Sequence, residues 1–368
     1  MSELLRGFMS LSVGNVVMIV IAGVLIYLAI AKEFEPVLLL PIGFGAIMAN
    51  IPFADAVSPE GALSILFNAG IRTELFPLLI FVAVGAMIDF GPLLKNPKML
   101  LFGGAAQFGI FFTMAVAALF GFSIKEAASI GIIGAADGPT SIFVASKFAP
   151  NLLGPISVAA YSYMSLVPII QPPVIRALTT KEERKIRMHY EDASVSKTVK
   201  IIFPIAVTII AGIIAPNSVA LVGFLMFGNL LRECGVTDRL SKSAQNELAN
   251  LVTILLGVTI GSTMVADKFL NWGTISIILM GLVAFVFDTA GGVIFAKILN
   301  LFVKEKINPM IGAAGISAFP MSARVIQKEA QKADPTNFIL AHAISANVAG
   351  QIGSIIAGGL ILALVGSL

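Results

Sequence analysis

Apolar residues fill this chain in long blocks, separated by short polar or Gly/Pro-rich breaks rather than by alternating faces. In order, the blocks predict membrane spans over residues 13–31, 36–52 (short, with Gly43 and Gly45), 75–90, 99–122, 127–148 and 152–175. A second series covers 201–215, 218–231, 251–266, 274–287, 293–303 and 338–368. Residues 60–74 mix Leu63, Ile65, Leu66 and Ile71 with polar positions and read as an interfacial or re-entrant piece. Residues 308–325 are too short and too polar for a simple crossing. The expectation is an all-α polytopic membrane protein with about ten spans plus interrupted segments.

One stretch departs from this pattern. Residues 176–200 hold Arg176, Lys181, Arg184, Lys185, Arg187, Lys197 and Lys200 against four acids. By the positive-inside rule this loop faces the cytoplasm, although an ordinary solvated loop would account for its charges equally well. It divides the chain into a lead-in (1–12), a first membrane half (13–175), the basic loop (176–200) and a second membrane half (201–368). The first ten residues, with Glu3 and Arg6, read as a short amphipathic lead-in rather than a cleaved signal peptide.

Composition sharpens the class. Charged residues make up 12% and apolar ones 57%, with mean hydropathy +0.95; soluble domains carry about 25% charged residues. The net charge of +3 says little about partners, and no nucleic-acid partner is expected. One cysteine, Cys234, excludes an internal disulfide, and two histidines, His189 and His342, do not make a zinc motif. There is no phosphate-binding glycine loop and no Ser-His-Asp pattern. Pro97-Lys98-Met99 is not the setting of an attached biotin, so the chain is not itself a biotin carrier.

The chemistry concentrates at Gly134-Ala135-Ala136-Asp137-Gly138-Pro139-Thr140-Ser141. An acid deep in a span costs at least roughly 2.5–3.5 kcal/mol. Gly138 and Pro139 argue for a broken helix, which frees backbone oxygens beside a carboxylate and two hydroxyls. A proline-kinked helix whose acid is tied to a neighbouring helix is the alternative. Other stretches combine breakers with oxygen side chains: Asn308-Pro309 through Gly312 to Ser317, Pro320, Ser322 and Arg324; Ser345 and Asn347 with Gln351 and Ser354; and Asp288-Thr289. One carboxylate among neutral oxygens suits a monovalent ion, Na⁺ or H⁺, better than a divalent one. Helix–helix hydrogen bonding would equally explain Asn347 and Ser354, an interfacial anchor Arg324, and capping Asp89 and Asp288.

A weak echo links the halves. Asn96-Pro97 and Gly104-Ala105-Ala106 return as Asn308-Pro309 and Gly312-Ala313-Ala314, at offsets of 212 (308 − 96) and 208 (312 − 104). Ala136-Asp137 returns as Ala346-Asn347, at 210 (346 − 136). A duplication would make Asp137 and Asn347 equivalent. The pattern does not distinguish inverted from parallel halves, and similarity among Gly/Ala-rich segments can also arise by chance.

From about residue 74 onward the chain resembles the β subunit of the sodium-pumping biotin-dependent decarboxylases, of oxaloacetate, glutaconyl-CoA, methylmalonyl-CoA and malonate type. The residues that carry the resemblance are Gly85 to Leu94, Asp137 to Ile142, Leu178 to Arg184, Phe287 to Gly292, Gly312 to Arg324, and Asn347-Val348-Ala349-Gly350. The resemblance implies decarboxylation of carboxybiotin, with a proton consumed and Na⁺ exported across a bacterial or archaeal cytoplasmic membrane. It implies as partners a carboxyltransferase α subunit, a biotinylated carrier domain and a small membrane γ or δ subunit, within a homotrimer of elevator-like, two-halved chains whose halves are expected to be inverted. Its functional residues fall on Asp137, Asn308, Ser317 and Asn347 for Na⁺, on Arg324 and Gly312 for carboxybiotin, and on Asp137, Arg324 and Tyr163 for the chemistry. A stand-alone Na⁺/H⁺ or Na⁺/solute carrier and a membrane anchor for a soluble enzyme are the competing readings.

Overall fold

A computed structural model describes residues 2–188, 195–214 and 216–367; His189 and the centre of the basic loop, 189–194, lie outside the described residues. The described chain is helical with no strand. Its main helices are α1 (Val13–Ala31), α2 (Pro36–Ala49), α3 (Leu75–Met87), α4 (Leu100–Ala105), α5 (Phe108–Leu119), α6 (Ile124–Gly131), α7 (Gly138–Phe148), α8 (Leu153–Leu178), α9 (Lys197–Ile214), α10 (Val219–Glu233), α11 (Ala249–Ser262), α12 (Trp272–Leu299), α13 (Met310–Ala313), α14 (Met321–Ala333) and α15 (Leu340–Gly366).

Five described helices are long and apolar enough to cross a membrane, or up to seven if each bent pair counts as one crossing. The chain is therefore a polytopic membrane protein, with fewer simple crossings than the ten expected. Glycine and proline cut the apolar runs into shorter pieces. The 60–74 piece is a short helix, Ala62–Leu66, running into a π-turn, Phe67–Ile71, which bends by 61° into α3. The runs expected over 274–287 and 293–303 are instead one helix, α12, so Asp288 lies in mid-helix and not at an end. The basic stretch is bounded more tightly than 176–200, because α8 continues to Leu178 and α9 begins at Lys197.

Five pairs of helices start at similar spacings in the two parts of the chain, shorter than the offset of the echo. Paired starts are 184 residues apart for α1 and α9 (197 − 13), 183 for α2 and α10 (219 − 36), 174 for α3 and α11 (249 − 75), 183 for α7 and α14 (321 − 138) and 187 for α8 and α15 (340 − 153). Each of α3 and α11 is entered through a π-turn, Phe67–Ile71 and Ala244–Leu248. The packing follows the same exchange: α2 lies on α11 while α3 lies on α10. Asn347, expected to mirror Asp137 on an interrupted segment, sits in the uninterrupted α15.

Small residues set how close these helices come. With few hydrophobic differences between protein and lipid tails to exploit, membrane helices gain stability from close backbone packing. Among the tightest approaches is α12 on α13: a Cβ on Gly312 would lie 1.8 Å from the carbonyl oxygen of Gly292, and one on Gly292 would lie 2.0 Å from that of Gly312. Gly312 thus acts through the side chain it lacks. Gly292→Ala and Gly312→Ala are each expected to destabilise the protein by about 1–3 kcal/mol or more. Gly104→Ala, where the added methyl meets nothing within 4 Å, should leave stability unchanged. Thermal unfolding of the three variants in one detergent checks this, and equal midpoints would refute the packing account.

Candidate functional site

The helix does break at the acid. After α6, one 3₁₀ turn, Ile132–Ala135, ends at Ala136 with φ +52°. A non-glycine residue in that left-handed region costs on the order of 1–3 kcal/mol and persists only where its surroundings enforce it. Asp137 then caps α7: Thr140 N donates to its Oδ1 at 3.1 Å, and Gly138 and Pro139 occupy the first turn, where proline's missing donor is not needed. The capping carboxylate is 4% exposed. Its other oxygen, Oδ2, accepts from Ser354 Oγ of α15 at 2.8 Å. The acid therefore sits at a break and is tied to a neighbouring helix at once.

A second irregular segment, between α13 and α14, crosses the first. Ser317 N donates to Ala135 O at 3.0 Å, and Ser317 Oγ donates to Gly350 O at 2.8 Å. Asn347 Nδ2 donates to Ile316 O at 2.6 Å, and Gln351 Nε2 bonds Ser317 O. Residues 347, 350, 351 and 354 lie on one stripe of α15 by their three- and four-residue spacing. That stripe reads both broken segments. Asp137, Ser317, Asn347 and Ser354 are thereby joined in one buried network. Asn347 Oδ1 and Thr140 Oγ1 remain buried with no hydrogen-bond partner, and each Asp137 oxygen has capacity beyond its single bond. Among the described residues no three His, Cys, Asp or Glu side chains gather as a metal site. A lone carboxylate with neutral oxygens fits a monovalent cation.

Three expected site residues stand elsewhere. Tyr163 bonds Ile278 O on α12; two residues earlier, Tyr161 packs its ring on Gly138, where a Cβ would lie 2.2 Å from its Cε1. Residues two apart on a helix face opposite sides, so only Tyr161 adjoins the acid. Asn308 Nδ2 donates to the carbonyls of Arg184 and Ile186 at 3.0 and 2.9 Å. Asn337 Nδ2 grips the same two carbonyls at 3.3 and 3.2 Å. Asn308 is thus committed to the loop after α8 and does not join the Asp137 network. Arg324 lies exposed in the first turn of α14, with no ion pair to its guanidinium among the described residues. A cation there opposes the helix dipole; an anion bound at the helix start would be favoured by both.

The segment carrying Arg324 is braced by a residue not singled out in the sequence. Gln171 of α8 donates to Ala313 O and Ser322 Oγ at 2.7 and 2.8 Å. Its only signal was an amide set in an apolar run just before Pro172-Pro173. Nearer the basic loop, Glu329 accepts both arms of Arg176 at 2.7 and 2.8 Å and Lys332 at 2.7 Å. Arg187 bonds Asp334 at 2.8 Å. The bonds from Arg187 and Thr336 bring the Asp334 carboxyl down from 3.8 to about 2.

These features define a polytopic membrane protein with a buried carboxylate where two broken segments meet. The family model described as "Na+-transporting oxaloacetate decarboxylase beta subunit" matches residues 14–365. The chain is 53% identical to the methylmalonyl-CoA decarboxylase subunit beta of Propionigenium modestum, over 98% of this chain and 97% of that one. It is 54% identical to the glutaconyl-CoA decarboxylase subunit beta of Acidaminococcus fermentans (98% and 96%) and 46% identical to the oxaloacetate decarboxylase beta chain of Haemophilus ducreyi (97% and 96%). The chain belongs to this family of β subunits of Na⁺-transporting decarboxylases, and is a multi-pass protein of the cytoplasmic membrane.

Asn308→Asp and Asn337→Asp each remove a donor from the same two carbonyls. They are expected to loosen residues 181–188 alike, with a double variant less than additive; tryptic cleavage rate at Lys185 and Arg187 measures this. An Asn308→Asp effect confined to Na⁺ affinity would overturn the clamp. Because folding lowers the Asp334 carboxyl, its support of this loop is present above pH 3.8 and lost as pH falls through about 2. Asp334→Asn should remove it at every pH, seen as faster amide hydrogen exchange across the loop at neutral pH.

Proposed function

We propose that the chain is the membrane subunit that receives carboxybiotin from a partner's biotinylated carrier domain, promotes its decarboxylation and couples that reaction to Na⁺ export. The observation that carries the reading is the buried Asp137 carboxylate on the crossing of the two broken segments, one of which leads directly into Arg324. The partner set is a carboxyltransferase α subunit and a small membrane γ or δ subunit, within a trimer. The twofold recurrence of elements and their reciprocal packing support two inverted halves that move as an elevator around a site at their junction.

In this reading Asp137, Ser317, Asn347 and Ser354 hold Na⁺ through carboxylate, hydroxyl and amide oxygens. Asn308 holds the cytoplasmic loop instead, and Gly312 permits the α12–α13 approach. Arg324 meets the carboxylate of the substrate with a guanidinium fork at a helix start. In the reaction the bond between carboxyl carbon and ureido nitrogen breaks, CO₂ leaves, and a proton takes its place on nitrogen. Asp137 can hold Na⁺ when ionised or a proton when neutral, and not both. That exclusivity couples the ion to the proton. Tyr161, packed on Gly138, is better placed than Tyr163 to orient this carboxyl. A stand-alone carrier would need the Asp137 network and would have no use for an unpaired arginine at the start of α14. Co-purification with a biotinylated protein separates the two readings.

Asp137→Asn is expected to keep the fold, since a neutral amide is easier to bury, and to abolish both ²²Na⁺ uptake and Na⁺-stimulated decarboxylation of carboxybiotin in reconstituted vesicles. Unaltered Na⁺ dependence would sink the site. Arg324→Lys is expected to slow carboxybiotin turnover by about tenfold or more, the worth of one charge-assisted hydrogen bond; an unchanged rate would return Arg324 to a simple anchoring role.

A further inference from the structure

A second acid lies in the membrane core with no part in the scheme above. Asp288 is 0% exposed, near the middle of α12. Neither carboxyl oxygen has a hydrogen-bond partner. The Gly109 and Ile110 amides in the first turn of α5 are the backbone donors that face it. The Ile110 amide is shared with Gln107 O at 3.2 Å, and neither meets good hydrogen-bond geometry to the carboxyl. Two glycines close on it: a Cβ on Gly109 would lie 2.4 Å from Oδ1, and one on Gly134 would lie 2.5 Å from Oδ2. Gly134 belongs to the 3₁₀ turn that leads into Asp137.

The surroundings supply no counter-charge. On α12 itself, Lys297 is bonded to Leu178 O and Glu183 at the far end. Of the elements packed on α12, α8 carries Tyr161, Tyr163 and Arg176, the last paired with Glu329. On α6, Lys125 and Glu126 stand at its first turn, where Glu126 is held by Ser123. The 132–135 turn, α4, α5 and α13 carry no charged side chain. An ionised carboxylate isolated this way is far costlier than a neutral one. Glycine backbone on both sides leaves no space for a metal ion with its oxygen shell, whereas a proton needs none. An acid kept at this depth against its cost is a functional group by default.

We propose that Asp288 is a second intramembrane acid of the pump, a carboxyl beside the Gly134 turn that gives its proton toward the ureido nitrogen as CO₂ leaves it and is reprotonated from water. It rests on the reading of Asp137 as the ion site, because the turn against Asp288 is the one that leads into Asp137. The decarboxylation consumes a proton, and Asp288 offers a store for one that Na⁺ does not compete for.

The test uses infrared spectroscopy on the purified full-length protein in lipid, together with vesicle turnover. The carbonyl stretch of a protonated carboxyl, shifting in D₂O, is expected in wild type and in Asp137→Asn, displaced in Asp288→Glu and missing in Asp288→Asn. The band is read without turnover, so a failure of the Asp137 reading would leave it in place. In vesicles, Asp288→Asn should slow decarboxylation by about 100-fold, the low end of what a positioned proton carrier contributes. The Na⁺ dependence should be unchanged, the rate should recover in part on acidification, and Asp288→Glu should retain activity. A band unaltered in Asp288→Asn, a wild-type rate and pH profile, or a defect confined to Na⁺ affinity would each overturn the proposal.

Discussion

The arrangement depends on satisfying one buried carboxylate. Asp137 lies away from water, and each of its oxygens needs a partner. The partners come from two sources, the first turn of the helix it caps and a hydroxyl on α15. Around it, irregular backbone is permitted in a membrane only where other protein groups satisfy it. The stripe of α15 does so for the second broken segment through Asn347, Gln351 and the Gly350 carbonyl, and it reaches the first through Ser354 on the Asp137 carboxylate. Remove that stripe, and the two segments would expose unpaired amides and carbonyls in the lipid core.

Close backbone contact is the second condition. The broken segments reach α15 and α12 because Gly292, Gly312, Gly315 and Gly350 present no side chain where chains touch. Farther out, the same device fixes α2 on α11 and α3 on α10, through Gly45 and Gly261 and through Gly85 and Gly228. Toward the basic loop, where water competes, ion pairs and amide bonds replace it: Arg176 with Glu329, Arg187 with Asp334, and two asparagines on one stretch of backbone.

Much of this was legible in the sequence. Long apolar blocks gave a polytopic helical membrane protein, and an acid followed by Gly-Pro and two hydroxyls marked the break, because each residue there conflicts with a plain membrane helix. The offset near 210 follows matching Gly/Ala words, whereas five pairs of helix starts are spaced by 174–187 residues, a spacing that lies in element order rather than in letters. Asn308 stands in a breaker-and-oxygen stretch and also falls on a functional residue of the resemblance; only tertiary structure reveals that its amide nitrogen is already taken by the loop after α8. The resemblance points to Tyr163, whereas helical phase puts Tyr161, two residues earlier, on the side of the acid. Asp288 read as a terminus because the run before it ended in a polar pair; continuity of α12 through Gly291-Gly292 is a packing outcome that no local signal announces.

Asp137 is both the buried carboxylate of the crossing and the residue from which α7 starts. A helix that loses its capping acceptor loses about 1 kcal/mol and frays from that end. The acid is therefore written into secondary structure: it gives α7 a defined first residue, beside the Tyr161 ring and the Gly358 contact that pack on its opening turn. Removing the acceptor would unfasten a helix end as well as delete a charge.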